Sequence, residues 1–262
     1  MKPDYKNWVP KGMIYGLSTG TGVMILAFVG SLLFLKNVTT PVRVAVSVIL
    51  ALGAIACGKF AQWSIRAYRQ FSYDGERQLS KQIIEGTAEY VKLPEGGKGL
   101  DVGCGSGALT IACAKRNPKS NFIGIDRWGK EYASFSKNLC DRNASAEGVP
   151  NTEFRQGDAV KLDFPDETFD AVTSNYVYHN IPVNKQELLR ESFRVLKKGG
   201  TFAIHDIMSE GRYGDMEKFV KELLDAGYEE VKLIPTDNGM FMTKWEAIKM
   251  MLKGSSLLVG RK

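Results

Sequence analysis

The sequence predicts an α/β fold: a mostly parallel sheet with helices on both faces, preceded by two apolar helices. Three observations carry this expectation. From about residue 75 onward, short apolar strand-like runs alternate with helix-like segments over short connections, which favours parallel strands with helical crossovers. One such run ends in Gly99-Leu-Asp-Val-Gly-Cys-Gly-Ser-Gly107, with glycine at every second position from Gly103. Two uncharged stretches lie within the first 70 residues.

The first uncharged stretch, Gly12–Leu35, has 24 residues, and roughly 20 cross a bilayer core. The second, Val44–Gly58, has 15. It reaches membrane length if Arg43 and Lys59 snorkel and Phe60, Ala61 and Trp63 join it. Transmembrane helices are therefore expected over about residues 12–35 and 42–63, within an anchor of residues 1–70. The connection, Lys36 to Arg43, suits a tight hairpin turn. Trp8 and Trp63 would share one interface, where indole is favoured. Lys2, Lys6 and Lys11 precede the hairpin and Lys59, Arg66 and Arg69 follow it, while only Lys36 and Arg43 lie in the loop. That bias places both ends in the cytoplasm. Gly16 and Gly20 have the G-x-x-x-G spacing that lets helices approach, although glycine is also common in membrane helices generally. The apolar core of the first stretch is longer than a signal peptide requires. A re-entrant or buried core helix remains an alternative for the second.

Residues 71–262 form the second domain. A helix over Glu76–Val91 leads to strand Gly99–Val102, then helix Ala108–Arg116 and strand Asn121–Asp126. A helix over about Glu131–Asn143 follows, then strands Thr152–Arg155 and Phe169–Asn175. The next helix starts at Asn184, with Glu187 at capping-box spacing, and is expected to stop at Gly199-Gly200. Strand Thr201–His205 comes next. A helix with Met216, Phe219, Val220, Leu223 and Leu224 on one face ends at Gly227. The tail reads as strand Glu230–Pro235, helix Lys244–Leu252 and strand Ser256–Gly260.

Charge excludes some functions. The chain carries +6 overall. Residues 1–70 hold eight Lys/Arg and one acid, or +7; residues 71–262 hold 27 and 28, or −1. The second domain lacks the positive surplus that a phosphate backbone requires. Cys57, Cys104, Cys113 and Cys140 form no C-x-x-C pair, which suits a reducing compartment. His179 and His205 are the only histidines, so no metal site is expected.

In the glycine loop, absent Cβ atoms let backbone approach a ligand. The helix behind it offers unpaired N–H donors to an anionic group. Asp101 supplies the opposite polarity and suits an ammonium or a hydroxyl. A ligand fitting both ends carries a carboxylate, an amine and a sugar. In parallel sheets, ligands bind outside the carboxyl ends of the strands. Four turns share that edge here: Asp101–Gly107, Asp126-Arg127-Trp128, Gly157-Asp158-Ala159 and Ser174–His179.

Over residues 75–205 these segments resemble the class I S-adenosylmethionine (SAM) methyltransferases. Asp101-Val-Gly-Cys-Gly-Ser-Gly107 is similar to that family's D/E-x-G-x-G-x-G. Leu162-Asp-Phe-Pro-Asp-Glu-Thr-Phe-Asp170 and Arg194-Val-Leu-Lys-Lys-Gly-Gly200 are similar to segments of its ubiquinone- and menaquinone-biosynthesis branch, with Lys198 in a proline position. The resemblance implies a Rossmann-like seven-stranded sheet with its last strand antiparallel. It implies SAM as cosubstrate, held by Asp101, Gly103, Gly105, Gly107, Asp126, Arg127, Trp128, Gly157, Asp158, Ala159, Asn175 and Tyr176. Asp126 would take the ribose hydroxyls, Asp158 the adenine amino group, and Asn175 and Tyr176 the methionine end. Trp128 either stacks on adenine or packs on the sheet. Candidate proton acceptors are His179, His205 and Asp206. The nucleic-acid methylation signature N/D-P-P-Y/F/W is absent; Ser174-Asn-Tyr-Val177 stands at that strand end.

The expected function is methyl transfer to a small, lipophilic acceptor: a quinone or phenol, a lipid headgroup or a thiol. The expected location is a bacterial cell membrane, as a multi-pass protein with a cytoplasmic catalytic domain and no nucleic-acid partner. Met240-Phe-Met242 and Met250-Met-Leu252 either line an apolar entrance or pack in the core. A non-catalytic SAM-binding adaptor is the main alternative. A nicotinamide oxidoreductase is disfavoured, because G-x-G-x-x-G spacing is missing.

Overall fold

The computed structural model describes residues 2–129 and 134–262. It divides into two compact units, Asn7–Gln78 and a larger one of Leu79–Lys262 with the residues up to Lys6.

The smaller unit is a pair of helices. α1 spans Lys11–Phe34, a short 3-10 turn covers Leu35–Asn37, and α2 spans Thr40–Phe71. Pro10 precedes the first helix and Pro41 sits in the first turn of the second, where a missing N–H does no harm. α2 continues eight residues beyond the expected end at Trp63. Nothing in Trp63–Phe71 breaks a helix, and Ala61, Ser64, Ala67 and Phe71 recur at helical spacing as its buried positions. The helices meet where Ser31 Oγ bonds Ser47 Oγ at 2.8 Å. Gly53 and Gly58 of α2 lie against Met24 and Thr21 of α1. Gly16 and Gly20 have no atom within 4 Å of a built Cβ, so their G-x-x-x-G stripe is not the packing face. Lys11 lies 5.8 Å from the Tyr68 ring, and Trp8 packs on Phe71 at 5.1 Å. Both ends of the pair therefore come together. Both helices are long and apolar enough to cross a membrane, and few residues of their most apolar stretches are buried.

The larger unit is a seven-stranded sheet in the order β3-β2-β1-β4-β5-β7-β6. The strands are β1 Lys98–Val102, β2 Asn121–Asp126, β3 Thr152–Gln156, β4 Phe169–Asn175, β5 Leu196–Ile207, β6 Glu229–Pro235 and β7 Ser255–Arg261. Only β7 is antiparallel, pairing with both β5 and β6. The helices are α3 Leu79–Ala88, α4 Ala108–Arg116, α5 Lys137–Ala146, α6 Lys185–Arg194, α7 Glu210–Tyr213, α8 Met216–Asp225 and α9 Lys244–Lys249. β1 and β4 are buried along nearly their whole length, polar residues included, because helices cover both faces. Leu100, Val102, Val172, Phe193, Phe202 and Ile204 fill the core.

Most boundaries match the expectation within one or two residues, and the departures have local causes. The expected start of the next helix, Glu131, lies outside the described residues; α5 begins at Lys137, capped by Ser136, whose side chain accepts from the Leu139 N–H. The helix from Glu76 shrinks to α3, because Gln78 takes a left-handed φ of 49° just before it. α6 has its cap at Asn184 but stops at Arg194, not at Gly199-Gly200. Val195 and Leu196 are apolar and buried, and Leu196 already pairs with Phe169. Gly199, at φ 75°, then forms an irregularity inside β5. The last helix ends at Lys249 and not at Leu252.

Candidate active site

The C-terminal ends of β1 to β5 all point to one sheet edge. That edge gathers Gly103, Asp126, Gly157, Asn175 and Asp206. The order of the strands reverses between β1 and β4, the position at which such sheets bind ligands.

The glycine loop is a cradle of left-handed backbone. Gly103, Gly105 and Gly107 have φ of 76°, 56° and 82°. A Cβ on Gly103 would stand 2.3 Å from Val177 Cγ2, and one on Gly107 3.0 Å from Phe154. At Gly105 the nearest atom among the described residues is Phe135 Cδ2, at 4.0 Å, so among them this backbone faces open space. α4 begins at once, and no side chain caps its first turn. Its N–H groups suit an anionic group.

Asp126 holds this loop from β2. Its Oδ2 accepts from Gly105 N–H at 2.9 Å and its Oδ1 from Trp128 N–H at 2.7 Å. Each oxygen keeps a further lone pair for a hydroxyl. The Trp128 indole N–H donates to the Gly105 carbonyl at 2.9 Å, and Cys140 Sγ donates to the same oxygen. These bonds hold Trp128 at φ 45°, a conformation uncommon for aromatic residues. Gly157 N–H donates to the Asp126 carbonyl at 3.0 Å. Asp158 is exposed, accepts from Val160 N–H at 2.9 Å and makes a turn beside Ala159. The Arg127 carbonyl accepts from Gln156 Nε2.

Asp101 is only 1% exposed. Its carboxylate accepts from Thr110 Oγ1 at 2.6 Å and Thr173 Oγ1 at 3.1 Å. Burial pushes its pKa up to about 6, against the pull of those hydroxyls. It braces β1 to α4 and β4.

The two histidines have opposite surroundings. His205 is fully buried. Its Nδ1 meets Asn175 Oδ1 at 2.9 Å and its Nε2 meets Thr236 Oγ1 at 2.8 Å. An amide oxygen only accepts, so Nδ1 carries the proton and Nε2 accepts from the threonine. Burial pushes the pKa down to about 3. With both nitrogens engaged, His205 is not a proton acceptor for the site.

His179 is 14% exposed, on the short turn Tyr178–Asn180. Its Nδ1 lies 2.5 Å from Asp206 Oδ1, and its backbone N–H donates to Asp206 Oδ2 at 3.0 Å. Asp206 also accepts from Tyr213 O–H at 2.8 Å and from Ile207 N–H at 2.7 Å. Burial alone would raise its pKa; the bonds from His179 and Tyr213 outweigh burial and hold it below the usual carboxylate range. An ionised Asp206 accepts the Nδ1 proton, which leaves His179 Nε2 as a lone-pair base. Asp206 itself is 1% exposed and orients the ring. Tyr176 lies between the histidines, 4.7 Å from the His205 ring and 6.0 Å from that of His179. Its hydroxyl bonds Ser255 at 2.8 Å, and burial raises its pKa.

Five partners in this arrangement were not anticipated: Thr110, Thr173, Tyr213, Thr236 and Ser255. All are ordinary hydroxyl residues, and nothing local in the sequence marks them.

The fold is the Rossmann-like one found in methyltransferase domains. The sequence model of the family described as "Methyltransferase domain" matches residues 100–204, which run from β1 into β5. The chain is 36% identical over 115 residues to a demethylmenaquinone methyltransferase of Lactobacillus johnsonii, covering 44% of this chain and 45% of that protein. It is 29% identical over 168 residues to an arsenite methyltransferase of Halobacterium salinarum, covering 56% and 41%. The chain thus spans less than half the length of either relative. The crystal structure of the [4+2]-cyclase SpnF superposes with a TM-score of 0.55 at 20% identity, over 71% of this chain and 82% of that one; this likeness concerns the fold alone.

Proposed function

We propose that this protein is a membrane-anchored SAM-dependent methyltransferase acting on a small, lipophilic methyl acceptor. One observation carries the reading. A glycine cradle with a ribose-competent acid and a histidine–aspartate pair occupy neighbouring strand ends of a single edge. A binding module needs the first and has no use for the second.

The residues fit SAM: Gly105 leaves the space above it open, α4 presents uncapped N–H groups, and Asp126 keeps lone pairs for the ribose. When bound, SAM supplies an electrophilic methyl group on a sulfonium. The chain's own part is to align the methyl acceptor and exclude water. Asp126 and Gly103–Gly107 fix the donor end, with Asp158 and Trp128 at the adenine end. His179 Nε2 takes the proton that a protic acceptor loses. Asp206 holds the histidine tautomer that makes this possible. Tyr176 offers a ring face near the transferring group.

The acceptor class rests on two supports. A base is useful for a quinol, phenol or thiol, which lose a proton on transfer. The two apolar helices suit an acceptor dissolved in the bilayer, and the Lactobacillus relative is named for a quinone. The lysines and arginines flanking the hairpin favour a cytoplasmic domain at a bacterial cell membrane.

The test is to incubate detergent-solubilised protein with methyl-labelled SAM and fractionated membrane lipids. Label is expected in an extractable quinol or phenol. SAM binding without transfer to lipid, quinol or thiol pools would overturn the catalytic reading and leave a SAM-binding adaptor.

A further inference from the structure

The sheet topology fixes where the chain between β6 and β7 lies. β6 runs parallel to β5, and Ile207 at the end of β5 pairs with Ser255 at the start of β7. Residues 236–254 therefore rise from the same edge as the glycine loop and His179. Their root is tied into that edge: Thr236 bonds His205, and the Phe241 ring stands 5.5 Å from it. Phe241, Met242, Ala247, Met250 and Leu252 turn inward and are buried. A helix packed on one side should present a polar face on the other. α9 and its flanks carry large apolar side chains there as well. Trp245 is 72% exposed, Met251 71% and Ile248 53%. Lys244, Lys249 and Lys253 are exposed between them.

The asymmetry extends across the unit. Among the described residues of Leu79–Lys262, eight large apolar side chains are exposed. Val160, Val183, Met240, Trp245, Ile248 and Met251 leave the active-site edge; Tyr90 and Leu224 lie on segments leading to the opposite edge. Exposed apolar groups gathered in this way mark an interaction surface. Its chemistry selects the partner. Lysine is depleted from protein–protein interfaces, whereas lysine beside an anionic headgroup and indole at the headgroup level are both favoured.

We propose that residues 240–253 form a bilayer-docking rim on the active-site edge. Trp245, Ile248 and Met251 enter the boundary between headgroups and acyl chains, and Lys244, Lys249 and Lys253 face anionic headgroups. A lipophilic methyl acceptor then reaches His179 from the lipid side without crossing water. This inference rests on the reading of α1 and α2 as a membrane hairpin.

The experiment uses the full chain reconstituted in vesicles of phosphatidylglycerol and phosphatidylcholine. The acyl chains are brominated near the headgroup or left plain. The difference between wild type and Trp245→Phe isolates the emission of Trp245, whose exposure makes the substitution harmless to the core. That emission is expected to be quenched by brominated lipid and protected from iodide. The same difference with Trp63→Phe reports the hairpin. Trp63 quenched by lipid with Trp245 open to iodide would overturn the rim and leave the hairpin standing. Neither residue quenched would overturn the hairpin, and the rim with it. Trp245 shielded from both reagents would indicate a second copy or a protein partner and would also overturn the proposal. Omitting phosphatidylglycerol is expected to weaken quenching of Trp245 but not of Trp63; equal quenching would refute the role of the lysines.

Discussion

The two halves of the active-site edge are built from different material. At the ends of β1 and β2 the working groups are backbone: three left-handed glycines, an uncapped helix start and the N–H groups that Asp126 gathers. At the ends of β4 and β5 they are side chains, in a buried network of His179, Asp206, Tyr213, Tyr176, His205, Thr236 and Ser255. A backbone cradle tolerates almost no change at its glycines. A side-chain network can lose one function while keeping the fold. The two halves should therefore fail in different ways.

The largest effect is expected at Gly103. Valine there takes a left-handed conformation, which costs about 1–2 kcal/mol, and its Cβ overlaps Val177. Gly103→Val should abolish SAM binding and lower the melting temperature together. Gly105→Ala separates the two readouts. Its methyl meets no atom of the described residues closer than 4.0 Å, so stability falls only by the left-handed cost of about 1–2 kcal/mol. That methyl stands where a ligand must approach, so SAM affinity should fall by about tenfold or more, a loss of at least about 1.4 kcal/mol. Unchanged affinity in Gly105→Ala, measured by equilibrium binding, would show that the loop is not the cradle.

The histidines sharpen the comparison within the second half. His179→Ala should reduce kcat by about 10²–10⁴ with SAM affinity unchanged, and loss of its ring bond to buried Asp206 should cost about 1.5–3 kcal/mol of stability. His205→Ala should act through stability alone. It leaves Asn175 and Thr236 without partners and opens a cavity, so a stability loss of about 2–5 kcal/mol is expected. Rapid turnover by His179→Ala would remove the base from the mechanism. A fully stable His205→Ala would contradict the structural role given to that residue.

This contrast also explains what the sequence could show. The cradle is written within Asp101–Gly107, and Asp126 and Gly157-Asp158 close neighbouring strands, so spacing alone exposes it. The strands were legible from short apolar clusters that end at turn signals, such as Phe122–Ile125 of β2 and Ala171-Val172 of β4. The other half joins residues that are far apart. His179 and Asp206 are 27 positions apart, Tyr176 and Ser255 are 79, and Thr173 and Asp101 are 72. No local pattern distinguishes a base from a buried spacer, so His179 and His205 looked alike. Asp101 shows the opposite case: its motif position was clear, but its bonds to Thr110 and Thr173 were not. The end of α6 was misread because Gly199 interrupts a strand and not a helix.

A smaller effect concerns pH. Asp101 has a folded pKa of about 6 against an ordinary value of 3.8. The folded state therefore binds the extra proton between those values. Stability from this group falls as pH rises from about 4 to about 6, then stays level. The shift corresponds to about 3 kcal/mol. His205 acts in the opposite sense. Its pKa of about 3 lies below the ordinary 6.5, so its contribution is complete above about pH 6.5 and is lost as pH falls toward 3. The two overlap in wild type, and a difference measurement separates them. Asp101→Asn should gain on wild type as pH rises from about 4 to 6, in melting curves of the two proteins recorded side by side. Parallel curves would mean that Asp101 is not desolvated.

The smallest effect falls on the link that ties the network to α7. Tyr213 donates to Asp206 Oδ2 at 2.8 Å, and Tyr213→Phe keeps the ring while removing the donor. A hydrogen bond to a charged group is worth about 1.5–3 kcal/mol, and three other donors on Asp206 keep the loss near the lower figure. Asp206 is held below the usual carboxylate range, so its stabilisation is complete above the ordinary pKa and is lost as pH falls through the folded value. With one donor gone that depression shrinks, so the acid loss of stability from this group should be smaller and complete at a higher pH. If Tyr213 only packs α7, the melting temperature will fall while kcat stays constant. If it positions Asp206, and through it His179, kcat should fall severalfold with SAM affinity intact. A further His179→Ala change in the Tyr213→Phe background should then add no more than it does in wild type, because both substitutions act on the same proton acceptor.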